Sequence, residues 1–148
     1  MNEKQIADLL NEIIHIKNET KRQEIMNILT SLDISEIPLL IQDDGKSYWR
    51  TAVEIIKNIG YPRNISAIPK LVELLQDLNW PGAEEALEVL QTFEISVLVP
   101  YIEVALFEAK DNADYIWISG INKLIILRGI KKEDFLKKDA FDLLELSE

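Results

Sequence analysis

The chain has no cysteine and one histidine, His15. The first absence removes disulfides, thiolate metal sites and a cysteine nucleophile together. The second leaves a single side chain whose ordinary titration falls near neutrality. No Ser, Asp or metal-ligand partner supports His15 as a base, and its place beside an apolar stripe gives it a structural or surface role. No apolar run approaches the roughly 18 residues that a membrane span requires. Residues 1–5 lack a basic stretch leading into an apolar one, so no secretory signal is expected and a cytoplasmic location follows as the expectation. Bases are scarce, with 16 Lys and Arg against 26 Asp and Glu, a formal net charge of −10. That surface repels phosphate, which argues against a nucleic-acid partner and suits a basic protein partner.

What remains is ample apolar material. At 148 residues the chain has the length of one domain, and 47% hydrophobic residues fill a core and exclude intrinsic disorder. The charge is uneven. Residues 64–94 carry six acids (Glu73, Asp77, Glu84, Glu85, Glu88, Glu94) against Lys70 alone, half of the net charge.

An internal repeat organises the chain. Ile34-Ser35-Glu36-Ile37-Pro38 recurs as Ile65-Ser66-Ala67-Ile68-Pro69, and more loosely as Ile95-Ser96 leading to Pro100. Pro38, Pro69 and Pro100 are spaced by 31 and 31 residues. Trp49 and Trp80 each follow their proline by 11 residues, whereas Trp117 follows Pro100 by 17, an insertion placed at about 108–116. Each unit reads as two helices. Proline suits a first helical turn, where the missing amide has no partner to lose. Ser35, Ser66 and Ser96 are candidate N-caps just upstream. In the second unit Ile68, Leu71, Val72, Leu75 and Leu78 repeat at helical spacing. Asn79-Trp80-Pro81-Gly82 then breaks the chain, with Asn79 a candidate cap for a helix that buries Ala83, Ala86, Leu87 and Leu90. Ala52, Ile55, Ile56 and Ile59 are the equivalents in the first unit, where Gly60 is placed for a left-handed C-cap.

The flanks are helical as well. Ile6, Leu9, Leu10 and Ile13 form one stripe, Ile25, Ile28, Leu29 and Leu32 another, with a turn at Lys17-Asn18. The helix from Trp117 to Leu127 is apolar on most sides and must be covered. A last helix over roughly 133–146, marked by Leu136, Ala140, Leu143 and Leu144, is its expected cover. The expected class is all-α, a short α-α superhelix of eight or nine helices in a single domain. Residues 1–33 form an N-terminal hairpin; 34–64, 65–94 and 95–130 are the repeats; 131–148 is the cap.

Two helices per unit, a proline in the first and about 31 residues per repeat resemble the HEAT-like repeats of the phycobilisome-lyase type. The chain also looks like a bacterial domain-of-unknown-function family of about 150 residues. Asn79-Trp80-Pro81-Gly82-Ala83 and the following Ala86-Leu87-Glu88-Val89-Leu90 carry that likeness. The resemblance implies a small solenoid whose second helices line a concave face. It brings no activity and no catalytic residue.

Candidate chemistry is thin. Gly45-Lys46-Ser47 lacks the upstream glycine, the strand and the helix of a phosphate loop, so Asp43–Ser47 reads as a turn between helices. Asp111-Asn112-Ala113-Asp114 offers too few ligands for a calcium loop and reads as solvated. Glu84 and Glu85 sit where a helix dipole favours carboxylates, and Glu88 less so; the three also make a patch suited to Lys or Arg from a partner. The tryptophans pack between units or line an exposed edge with Tyr48, Tyr61, Tyr115 and Arg50, a hot-spot composition.

These observations set the expectation. The protein is a non-enzymatic module that binds a basic protein, with a cognate toxin as one candidate and an immunity role as the corollary. Trp80, Glu84, Glu85 and Glu88 centre the surface, flanked by Tyr48, Trp49 and Arg50 on one side and Tyr115 and Trp117 on the other. No cofactor, metal or catalytic residue is expected. The alternative is a small-ligand or nucleic-acid-modifying protein with a pocket of tryptophans and acids.

Overall fold

A computed structural model describes residues 1–148. The chain is all-α, with eight α-helices, short 3-10 turns and no strand. It divides into two compact units, Met1–Ala67 and Ile68–Glu148.

The first unit starts with α1 (Glu3–His15) and α2 (Glu19–Thr30). Asn2 caps α1 reciprocally with Gln5, each side chain accepting from the other's backbone amide at 2.9 Å. Asn18 caps α2 through the Lys21 amide at 3.1 Å, so the Lys17-Asn18 turn is as expected. Ile6, Leu10, Ile13, Ile25 and Leu29 are buried. Ile28, placed in the second stripe, is instead exposed. The helix expected after Pro38 is one 3-10 turn, Ile37–Leu40. Ile41 then turns extended, which ends the run before a second α-helical turn forms. Next come the turn at 43–45, a second 3-10 turn (Lys46–Tyr48) and α3 (Trp49–Ile59), which buries Ala52, Val53, Ile55 and Ile56. Gly60 has the positive φ of +77°, but its ψ of 168° is extended rather than left-handed helical. Arg63 then donates to the carbonyls of Thr30 and Leu32, tying down the C-terminal end of α2, where carbonyls lack amide partners.

The second unit holds two successive hairpins. The first pairs α4 (Ile68–Glu73), which tightens into a 3-10 turn at Leu74–Gln76, with α5 (Ala83–Leu90). The second pairs α6 (Ile95–Asp111) with α7 (Tyr115–Arg128). The first helices of the two hairpins, α4 and α6, pack on each other, and α7 packs on the 3-10 end of α4. That last contact is very close. A Cβ on Gly120 would lie 2.0 Å from the backbone oxygen of Leu75, so only glycine fits there. Three residues earlier on α7, the Trp117 indole N–H donates to the Val72 carbonyl at 2.9 Å. Val72 is in the last turn of α4, where carbonyls need an acceptor role outside the helix.

The serine N-caps do not form. Ser35 bonds the Asp33 carboxylate, Ser66 the carbonyl of Ile34, and Ser96 already lies inside α6. Asn79 does not cap α5 either; its amide donates to Asp77, and Gly82 occupies the N-cap position with a φ of +86°. Pro69 sits in the first turn of α4 as expected, but Pro100 is the sixth residue of α6. Both Pro100 and Ser96 are exposed, so water can serve the carbonyl that proline leaves without an amide. The insertion of the third repeat does not form a loop. Its residues lengthen α6 to 17, and only Asn112, Ala113 and Asp114 separate it from α7, which Asp114 caps through the Trp117 amide at 3.0 Å.

The expected long last helix is broken into a 3-10 turn (Lys132–Asp134), the short α8 (Lys138–Asp142) and another 3-10 turn (Leu143–Leu146). Leu136, placed in its apolar stripe, is 79% exposed, whereas Phe135 is buried and meets Phe141 edge-on at 5.3 Å. The cause is a side chain on another helix. Glu103, buried in α6, accepts the backbone amide of Lys137 at 2.5 Å and holds residues 135–137 off helical geometry.

Gly120→Ala should destabilise the protein by about 2 kcal/mol or more, since the obstruction is backbone and cannot rotate away. For a chain of this size that is a fall of roughly 4–8 °C in Tm. Trp117→Phe should cost about 1–3 kcal/mol by stranding the Val72 carbonyl. Thermal unfolding followed by circular dichroism measures both, and a wild-type Tm for Gly120→Ala would refute the close-approach account.

Candidate functional site

Tyr48 and Trp49 enter α3 as buried residues, 8% and 7% exposed. The Trp49 indole N–H donates to the Gln42 carbonyl at 2.6 Å, closing the turn that precedes its own helix. Burial pushes the Tyr48 phenol up from its ordinary pKa, and the carboxylates of Asp44 and Asp8 push the same way. Arg50, next in sequence, is exposed on α3. Trp117 is 3% exposed. An exposed row of three indoles therefore does not exist: Trp49 and Trp117 are buried, and each indole N–H donates to a backbone carbonyl. Trp80 alone is half-buried, in the turn before α5. Its backbone bonds the Asp77 carbonyl through the amide and the Ala83 amide through the carbonyl. Tyr115, the first residue of α7, is half-buried.

The acids behave differently. Glu84 and Glu88 are exposed and Glu85 is half-buried, all on α5 with Glu84 and Glu85 in its first turn. Glu88 follows Glu84 at the i, i+4 spacing, which puts them on one helix face. Trp80, Glu84 and Glu85 thus share the N-terminal end of one short helix, with Glu88 a turn further along it. From Leu71 to Ala109 the chain holds eight carboxylate side chains and no Lys, Arg or His. Seven of the eight reach the surface wholly or in part; Glu103 is the buried one.

Within the second unit, α4, α6 and the start of α7 enclose a small cleft of about 100 Å³. Trp117, Val72 and Val104 provide apolar wall, Tyr101 a phenol, and Glu73 and Glu108 the carboxylates. Glu73 also pairs with Lys70 at 3.4 Å, both side chains remaining partly exposed. Of these residues the sequence singled out Trp117 as a candidate and counted Glu73 only among the acids of its segment. The signal was present: Pro69, Val72 and Glu73, and then Tyr101, Val104, Ala105 and Glu108, run at i, i+3, i+4 and i+7, one stripe on each helix. A stripe containing Tyr, Val and Glu reads as neither core nor solvent face until the facing helix is known.

Residues 43–47 form turns, and the segment is preceded by a 3-10 turn, not a strand. His15 is exposed, its Nδ1 2.8 Å from the Asn11 carbonyl one turn earlier. No three His or carboxylate side chains converge in the way a metal ion requires. No helix is long and apolar enough to cross a membrane.

Comparison with known families gives one match. A model for a domain of unknown function, DUF5071, covers residues 45–144, from the turn before α3 to the segment after α8. The chain belongs to this family. No curated protein and no solved structure matches it. The matched span takes in both hairpins of the second unit and all three tryptophans, and leaves out α1 and α2.

Acrylamide should quench the fluorescence of Trp80 and leave most of the remaining emission. In Trp80→Phe, the two surviving indoles should emit at short wavelength and resist quencher. Strong quenching of that variant would place Trp49 or Trp117 at the surface.

Proposed function

We propose that this protein is a non-catalytic binding module that takes a basic protein partner on its second unit. The observation that carries the reading is the stretch from Leu71 to Ala109, which holds eight carboxylates and no cation, seven of them reaching the surface. Lys70 on α4, paired with Glu73, and Lys110 on α6 bound the stretch, and between them the surface charge is acidic. Such a field accelerates encounter with a basic surface and selects against acidic ones. The cleft edged by Glu73 and Glu108 gives that field one point of shape. A lysine or arginine entering it would meet two carboxylates, a phenol and apolar wall for its methylene stem. Glu84, Glu85 and Glu88, with Trp80, add a second acidic contact on α5.

The repeat supports a finer reading of the scaffold as HEAT-like. In the second unit, two hairpins lie in succession with their first helices in contact, and a tryptophan from the second hairpin bonds the first helix of the preceding one. Scaffolds of this kind serve binding more often than catalysis, though fold alone is a weak guide to function. A cognate toxin is one basic partner consistent with the reading, and an immunity protein is what the module would then be.

Capture from lysate of the source cells, with wild-type protein as bait, should retain a basic protein whose recovery falls steeply as salt is raised. Glu84→Lys, Glu85→Lys and Glu88→Lys together should abolish capture and leave helical content unchanged. Glu73→Gln with Glu108→Gln should weaken the same capture by about tenfold or more, the loss of charge-assisted contacts. Capture that survives both sets of changes at physiological salt would end this reading. A saturable change in tryptophan fluorescence on titration with nucleotides, bases or metals would favour a small ligand instead.

A further inference from the structure

The second unit carries a groove of about 460 Å³ between the C-terminal half of α7 and the segment from α8 to Leu146. It is separate from the acidic cleft and shares no residue with it. Its floor is apolar: Ile125, Ile130, Phe141 and Leu144. It exists because the chain's last segment is broken. A continuous amphipathic helix over 133–146 would have covered α7, whereas two 3-10 turns and a five-residue helix cover it only in part.

At the edge of this hollow stands a knob. Ile126 lines the groove and is nevertheless 69% exposed, and its neighbour Leu127 is 50% exposed. Isolated exposed aliphatic residues are ordinary, but two together beside an apolar groove mark a contact surface. The charges around it are divided. The wall that continues from α7 ends in Lys131, and the opposite wall carries Asp142 and Glu145. Lys132 pairs with Asp142 at 2.9 Å, and Glu145 acts on the same ammonium group. The acidic wall so keeps an excess carboxylate while the other wall keeps a lysine.

We infer that this surface binds a second copy of the chain about a two-fold axis. A two-fold interface requires one patch to complement itself, so that each residue meets its counterpart reciprocally. This patch has what that demands: a hole and a knob side by side, and a base and an acid on opposite walls. In the inferred dimer each Ile126 would enter the facing groove and each Lys131 would meet the facing Glu145. A foreign helix would need only the groove; it would not need the knob or the divided charge. The inference is independent of the acidic surface proposed for the partner, because none of its residues lies between Leu71 and Ala109.

Sedimentation velocity over a range of protein concentrations tests it. Wild-type protein should sediment as a concentration-dependent dimer. Ile126→Glu should sediment as a monomer with unchanged helical circular dichroism, since that side chain is mostly in solvent. Lys131→Glu and Glu145→Lys should each weaken self-association by about tenfold or more, by opposing like charges. An equimolar mixture of these two single variants should recover a dimer, because each supplies the charge that the other lacks. A wild type that stays monomeric throughout overturns the inference and leaves the groove to a foreign partner. Dimers that persist in Ile126→Glu, or a mixture that stays monomeric, overturn it as well.

Discussion

The second unit depends on how α7 sits against α4. Two features fix that seat: the Cα of Gly120 pressed on the Leu75 backbone, and the Trp117 indole bonded to Val72. Backbone-to-backbone approach at glycine leaves no freedom to slide, and the indole bond sets the rotation of α7 about its axis. Both contacts fall on the place where α4 tightens into a 3-10 turn and its carbonyls run out of helical partners. Trp117 thus meets a carbonyl at the end of α4. Trp49 in the first unit also donates to a carbonyl, that of Gln42 in the turn before its own helix, which the Gly45 amide bonds as well.

That seat shapes what the surface can offer. With Trp117 turned inward, the aromatic contribution to a binding face shrinks to Trp80 and the half-buried Tyr101 and Tyr115. Carboxylates do the rest. They are mostly at the surface, of one sign over a long stretch, and anchored on helices whose relation to one another is fixed by buried contacts. Such an arrangement favours recognition through charge and shape. No three His or carboxylate side chains come together as a metal ion would require.

The sequence made the helical class legible because its apolar spacing is regular and its proline and tryptophan landmarks recur. Ala83, Ala86, Leu87 and Leu90 are buried as the spacing required, as are Ile6, Leu10 and Ile13. What it concealed has physical causes. The first helix of the first repeat shrank to a 3-10 turn because Ile41 turns extended straight after it. The serines looked like caps because caps and turns favour the same residues, and at Ser35 and Ser66 the turn prevailed. The insertion was taken up by the end of α6, where Ala109 is buried, and by the start of α7, leaving a short turn between them. The break at 135–137 depends on Glu103, more than thirty residues away, and no local pattern reports such a contact. The same limit hid Tyr101 and Glu108, which become part of a site only when α4 and Trp117 are set beside them.

The central claim is that a basic partner engages the second unit over the cleft walled by Trp117. The protein's three tryptophans supply a direct reporter, since each gives one indole N–H resonance in an amide-correlation NMR spectrum of labelled protein. On titration with a lysine- and arginine-rich peptide, the Trp117 resonance should shift progressively to saturation, because its N–H is held against Val72 beneath the cleft. The Trp49 resonance, fixed to Gln42 in the first unit, should stay in place. An unmoved Trp117 resonance at saturating peptide, or a shift confined to Trp49, would contradict the account.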